Sequence, residues 1–349
     1  MEKRKIRDWR IELLRFVATI GIAMFHFEWI YIGTPVFLQH FYLWVEFFFV
    51  LSGFFLARNT EGKLQGNGIM NSVEYTFRQA KKMYPSYLIG FIFSFIVYCK
   101  VCQIEGCRNT LKLLWHSKWE IAYLQLSGIE QTAPTINGVT SYIPALLAAS
   151  LILHYLLCNH RKFTTNIVSV LAPIAIYSHI MNTYGNLSQW IPYENWYTIG
   201  ILRAIAGMSL GIFAYSTINC KTGGGGKESI ILTIISLILM VGLVVCRNDI
   251  SYYDEVMYPY VFAVCIGSIY VRTPKYSIVS LENIIIYLGK ISLNIYVIHY
   301  GICYLMKTYF PEKKYGSMAI VYVVSVCVLA IMVEFIITEF RKLLSRTLQ

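Results

Sequence analysis

The chain has 349 residues, 56% of them hydrophobic and only 14% charged, with a mean hydropathy of +0.54. Water-soluble domains carry about 25% charged residues, so this composition excludes an aqueous globule and points to a polytopic membrane protein. The net charge of +11 would suit a nucleic-acid partner, but the basic residues sit in short clusters between apolar runs, which is how membrane topology is signalled.

A bilayer core takes about 20 apolar residues per helix. Stretches that qualify lie at 11–32, 40–57, 84–104, 140–158, 164–183, 197–217, 228–246, 255–271, 283–306 and 317–340. They predict an all-α bundle of about ten transmembrane helices, forming a single domain over 1–349. The basic start "MEKRKIRDWR" is followed by no small-residue cleavage site, so the first run is expected to remain as a helix. With the N-terminus in the cytoplasm, the inner segments hold nineteen Lys and Arg and the outer segments seven. That bias predicts that both termini face the cytoplasm, in a multi-pass protein of the cytoplasmic membrane.

The first helix carries two polar residues in "RFVATIGIAMFHF". Arg15 and His26 are eleven residues apart, about 20° past three full turns, so they share one helix face about 16 Å apart along the axis. A charge at membrane depth costs at least about 2.5–3.5 kcal/mol, which makes such residues functional candidates. For Arg15 the rival reading is a guanidinium reaching back to the interface, and for His26 a hydrogen-bonded core histidine. His is also the side chain suited to proton transfer near neutral pH.

Glu46 follows in the second stretch, in "VEFFFVLSGFFLA", with Arg15 and His26 as its nearest candidate partners and a structural ion pair as the rival reading. Ser52 and Gly53 behind it suit close helix packing. Arg78, Lys81 and Lys82 precede "MYPSYL", where Pro85 fits the first turn of the third membrane helix. This cluster suits either lipid headgroups or the phosphates of a nucleotide-bearing substrate. The loop at 105–139 contains "LLWHSKWEIAYLQLSGIE", whose Trp and Tyr suggest an interfacial or re-entrant segment. Arg203 lies a turn or more inside its stretch, and His299 near the outer end of "LNIYVIHYGI". "TGGGGKE" at 222–228 reads as a linker, not a phosphate loop. Most of the nine cysteines lie in apolar runs; Cys99, Cys102 and Cys107 are the one cluster, with no further ligand at a metal-site spacing, so no metal is expected.

Six segments, in order along nearly the whole chain, resemble the membrane acyltransferase-3 family. "RFVATIGIAMFH" resembles its R-x10-H signature, and "VEFFFVLSGFFLA" its acidic residue followed by FF-x-LSG-F. "RQAKKMYPSYL", "NGVTSYIPALL", "ILRAIAGMSLGIFA" and "LGKISLNIYVIHY" resemble the four later motifs, which contain Lys82, Asn137 with Tyr142, Arg203, and His299. Ser141, Leu293 and Lys82 stand where the family more often has Trp, an aromatic and Arg.

The resemblance implies a ten-helix core that moves an acyl group, commonly acetyl from acetyl-CoA, onto hydroxyls of surface or exported glycans. Acyl-CoA would then be a co-substrate, with no cofactor bound permanently. His26 would be the general base, or the carrier of a covalent acyl group, with Arg15 and Glu46 orienting it. Arg78, Lys81, Lys82, Arg203 and Ser52 would hold the donor, leaving Tyr142, Asn137 and His299 on the acceptor side or in structural roles. The implied partners are membrane lipids, the glycan acceptor, the acyl-CoA donor and, in some arrangements, a separate extracytoplasmic transferase. The rival function is a flippase or exporter of polysaccharide or lipid-linked sugar, which would use the same buried charges for passage.

Overall fold

The computed structural model describes residues 8–35, 37–62, 68–122, 135–188, 193–194, 197–217, 227–245, 252–271, 279–311 and 313–347. The long helices are α1 (Trp9–Ile32), α2 (Trp44–Asn59), α3 (Gly68–Val101), α6 (Tyr142–Asn159), α8 (Ser169–Tyr184), α9 (Ile199–Thr217), α10 (Lys227–Val245), α11 (Met257–Val271), α12 (Val279–Tyr309) and α13 (Tyr315–Thr347). Three short helices, α4 (Cys107–His116), α5 (Lys118–Ile121) and α7 (Arg161–Phe163), lie between them. The described strands are a two-residue antiparallel pair, β1 (Tyr193–Glu194) and β2 (Tyr197–Thr198). Every predicted stretch falls on a long helix, and eight helical segments among the described residues are long and apolar enough to cross a membrane. Of the linker read at 222–228, residues 222–226 lie outside the described residues, as do Cys220 and Cys246, while Lys227 and Glu228 open α10.

The third stretch is corrected. Pro85 does not open a helix at 84; α3 begins at Gly68 and carries Pro85 in its interior. At 1.5 Å per residue its 34 residues span about 51 Å, well beyond a hydrocarbon core of about 30 Å. The polar turns ahead of Pro85 give no hydropathy signal but hold helical backbone, so Arg78, Lys81 and Lys82 ride on a helix that projects past the apolar span. In the 105–139 loop, the described part is α4 and α5, with Trp115 exposed and the Lys118 ammonium 4.9 Å from its ring centroid.

Where α2 crosses α9 the backbones touch. A methyl group added at Gly53 would lie 1.9 Å from the Met208 carbonyl oxygen, and one at Gly211 1.9 Å from that of Val50. Small residues permit such approach in lipid, where close packing replaces the hydrophobic drive. Similarly, Gly289 admits Glu12 of α1 against α12, and Gly90 admits Val297 of α12 against α3. These crossings bring α1, α2, α3, α9 and α12 around one centre. Large apolar residues such as Ile320, Val324 and Phe335 on α13 remain exposed, as a bilayer-facing surface requires.

At the end of the bundle where α1 finishes, three buried glutamates organise the loops. Glu28 accepts hydrogen bonds from the backbone N–H of Phe37 and Leu38 at 3.0 and 2.9 Å. Glu255 accepts from the N–H of Leu187 at 2.7 Å and lies 3.2 Å from His40 Nδ1. Glu120 accepts from Ile136 and Asn137 at 3.0 and 2.8 Å. Each carboxylate satisfies donors that a loop would otherwise bury unpaired.

Glu120 lies outside the candidate spans, and burial pushes its carboxyl up to about 7 against the pull of those two N–H groups. The folded chain therefore holds this proton more tightly than the unfolded one, so the group favours folding below its usual 4.5 and that contribution is lost as pH rises toward about 7. The melting midpoint in detergent is expected to fall between about pH 5 and pH 8, less steeply in Glu120→Gln than in the wild type. Identical slopes in the two proteins would acquit Glu120.

Candidate active site

Arg15 lies two turns inside α1 and lines a cavity of about 440 Å³. Its partner is Glu12, whose carboxylate receives Arg15 Nη1 at 3.0 and 3.3 Å. The expectation that Glu46 orients Arg15 or His26 is therefore corrected. Glu46 is fully buried and bonds instead to Arg203 Nε at 2.7 Å and to the Tyr177 hydroxyl at 2.6 Å. Arg203 is 2% exposed and is not among the residues lining the cavity, and its Nε is held by Glu46. The cause is geometric: the α2–α9 crossing that Gly53 and Gly211 permit sets residues 46 and 203 face to face.

The cavity lies in the part of the bundle where α1 starts and draws cations from four helices: Arg15, Lys82 of α3, Lys290 of α12 and Arg341 of α13. Glu12 answers Arg15, and Glu334 on the cavity wall answers Lys290. Glu334 takes Lys290 Nζ at 2.7 Å and Asn294 Nδ2 at 3.1 Å. The walls carry hydroxyls from Thr19, Ser52, Ser86, Ser150 and Tyr142 among apolar side chains. That volume and mixed lining suit an elongated anion with an apolar tail. Arg78 and Lys81 are not among the lining residues; Arg78 is exposed and lies 3.6 Å from Glu74 on its own helix.

Inward, the lining includes Tyr142 and Tyr296, whose rings meet edge to face at 5.6 Å. The Tyr296 hydroxyl donates to the Val139 carbonyl at 2.6 Å, and its ring lies 5.7 Å from His299. Beyond this tyrosine pair stand His26 and His299, brought together from α1 and α12 with ring centroids 5.2 Å apart. His299 is fully buried and His26 half-buried, and neither lines the cavity. Asn137 braces this level, donating from Nδ2 to Ser94 Oγ at 3.1 Å and to the Val297 carbonyl at 2.8 Å.

The structure thus gathers Arg15, Ser52, Lys82 and Tyr142 at the cavity, His26 with His299 behind it, and sets Glu46 with Arg203 apart. Sequence reasoning missed Glu12, Lys290, Glu334, Arg341 and Tyr296. Glu12 was findable, because an acidic residue three positions before an arginine shares its helix face. Lys290 and Glu334 were also visible as charges within apolar runs. Tyr296 stood inside the quoted segment "LGKISLNIYVIHY" without being singled out, and nothing local marks Arg341, which joins the site only through helix packing.

The chain matches no curated protein and no solved structure. A family profile described as "Acyltransferase domain", acyltransferase family 3, matches residues 8–339. With a multi-pass helical bundle and a match over essentially its whole length, the chain belongs to the membrane acyltransferase-3 family.

Proposed function

We propose that this membrane acyltransferase moves an acetyl group from acetyl-CoA onto a hydroxyl of a cell-surface or exported glycan, across the cytoplasmic membrane. The observation that carries the reading is the cavity with four cations at the side where α1 starts, with two tyrosines in its wall and a histidine pair behind them. The charge bias of the loops supports reading that side as the cytoplasmic one, where acyl-CoA is available. The donor's phosphates lie against Lys82, Lys290 and Arg341, while its apolar arm runs along Phe48, Leu51 and Leu293. Arg15, braced by Glu12, faces the thioester end. The acyl carbon reaches His26 by passing Tyr142 and Tyr296.

His26 acts as general base. Its free ring nitrogen takes the proton of the acceptor hydroxyl, the oxygen attacks the thioester carbon, and the C–S bond breaks. The departing thiolate recovers the proton, leaving an ester and a thiol. A positioned base of this kind supplies about 10²–10⁴-fold. The glycan arrives from the side of the three loop glutamates, either directly or through a separate extracytoplasmic transferase that takes over the acyl group.

The test is release of free thiol from acetyl-CoA by the purified protein in nanodiscs, with an acceptor glycan present. Lys82→Ala and Arg341→Ala should each raise the donor KM about tenfold with kcat nearly unchanged, as loss of uniform binding does. An unchanged KM in both would assign these cations to lipid headgroups. Glycan movement without thioester consumption would establish the flippase reading.

A further inference from the structure

The two histidines are held in defined tautomers. His299 Nδ1 lies 2.6 Å from the Tyr296 carbonyl oxygen, and His26 Nδ1 lies 2.9 Å from that of Ile22. A carbonyl oxygen carries no hydrogen, so each Nδ1 facing one must be the protonated nitrogen. In neutral rings both Nε2 atoms then carry lone pairs. His299 Nε2 points its lone pair at His26 Nδ1, 3.3 Å away. The His26 Nδ1–H is therefore shared between a backbone oxygen and the second imidazole, and His26 Nε2 is left as the basic atom of the pair.

We propose that His299 is the positioning residue for His26, its Nε2 accepting the Nδ1–H so that His26 presents Nε2 to the acceptor hydroxyl. The inference rests on the acyl-transfer reading and assigns the part that a third group plays beside a catalytic base. When His26 Nε2 takes the acceptor's proton, the new positive charge is shared along the Nδ1–H···Nε2 bond. When the thiolate recovers the proton, both rings return to neutral. A carboxylate in this place would bury a charge in the resting state, whereas an imidazole does not. The pair holds one added proton and not two, because a second would set two cations 3.3 Å apart.

The surroundings fix the contact. The Tyr322 hydroxyl lies 3.1 Å from the Ala23 carbonyl and 3.3 Å from that of His299, tying α1 to α12 at this level. Cys303 donates to the same hydroxyl at 3.2 Å. The Tyr300 ring closes the side of His26 at 5.8 Å, edge to face.

Two measurements on the full chain in nanodiscs test this. The first needs no activity: a histidine-labelled sample should show both Nδ1 atoms protonated, with a 15N–15N coupling through the hydrogen bond between His26 Nδ1 and His299 Nε2. The second is kinetic. His299→Phe keeps a ring but no acceptor and should lower kcat about 100-fold with the donor KM unchanged. His299→Gln restores an oxygen near the Nε2 position and should recover to within about tenfold of wild type. Absence of the coupling, or wild-type kcat in His299→Phe, would overturn the proposal. Equal losses in the Phe and Gln variants would also overturn it, since they would mean packing and not hydrogen bonding. A coupled pair in a wild-type protein that consumes no thioester would instead sink the acyl-transfer reading and leave the pair intact.

Discussion

His26→Ala is expected to abolish ester formation, lowering transfer by about 10²–10⁴-fold, while the protein still inserts and melts normally. The small side chain is cheaper in lipid than a histidine, and its partner His299 keeps its bond to the Tyr296 carbonyl. Arg15→Lys should fail almost as badly. Arg15 directs one nitrogen at both oxygens of Glu12 from a planar guanidinium, leaving the rest of the fork toward the cavity. An ammonium cannot hold a carboxylate and present a second planar donor together. The measurement is glycan ester content in cells carrying each variant, with expression and detergent melting checked first. Normal ester content in His26→Ala cells that lack any other acyltransferase would remove His26 from the chemistry.

The second large effect is on stability. Arg203→Met leaves Glu46 fully buried with the Tyr177 hydroxyl as its remaining hydrogen-bond partner among the described residues, and should cost about 3–5 kcal/mol. Glu46→Gln removes the charge that faces the buried Arg203 Nε. The double variant Glu46→Gln/Arg203→Met should recover much of the loss, because neither charge remains. A double-mutant cycle of melting free energies in detergent checks this. Strictly additive losses would show that the two residues act independently despite their 2.7 Å contact.

The helices and half of the site were legible because both depend on short-range order. Hydropathy over about 20 residues marks a span wherever it lies, and the 3.6-residue period alone sets Arg15 and His26 on one face. The partner of Glu46 was not legible: local spacing favoured α1, whereas the glycines of α2 and α9 drew in a residue 157 positions away. The start of α3 was missed because residues 68–83 mix polar and apolar side chains, and a hydropathy average does not register such a helix. Lys82 was found through its cluster, but that cluster also offered Arg78 and Lys81. The rotation of α3 admits only Lys82 of the three to the cavity. Arg341 enters from the far end of the chain, which no local pattern could link to Arg15.

The Glu46–Arg203 pair also bears on how the protein is made. Glu46 enters the bilayer with α2, but Arg203 is synthesised 157 residues later. At about 5–20 residues per second the ribosome needs about 8–30 s to deliver it. Throughout that interval the nascent bundle carries a carboxyl group in lipid, at a cost of about 2.5–3.5 kcal/mol if charged. The nascent chain therefore has to hold α2 in place without that partner until α9 arrives. A chain that stops short of α9 never leaves this state, and membrane quality control has a buried acid by which to recognise it.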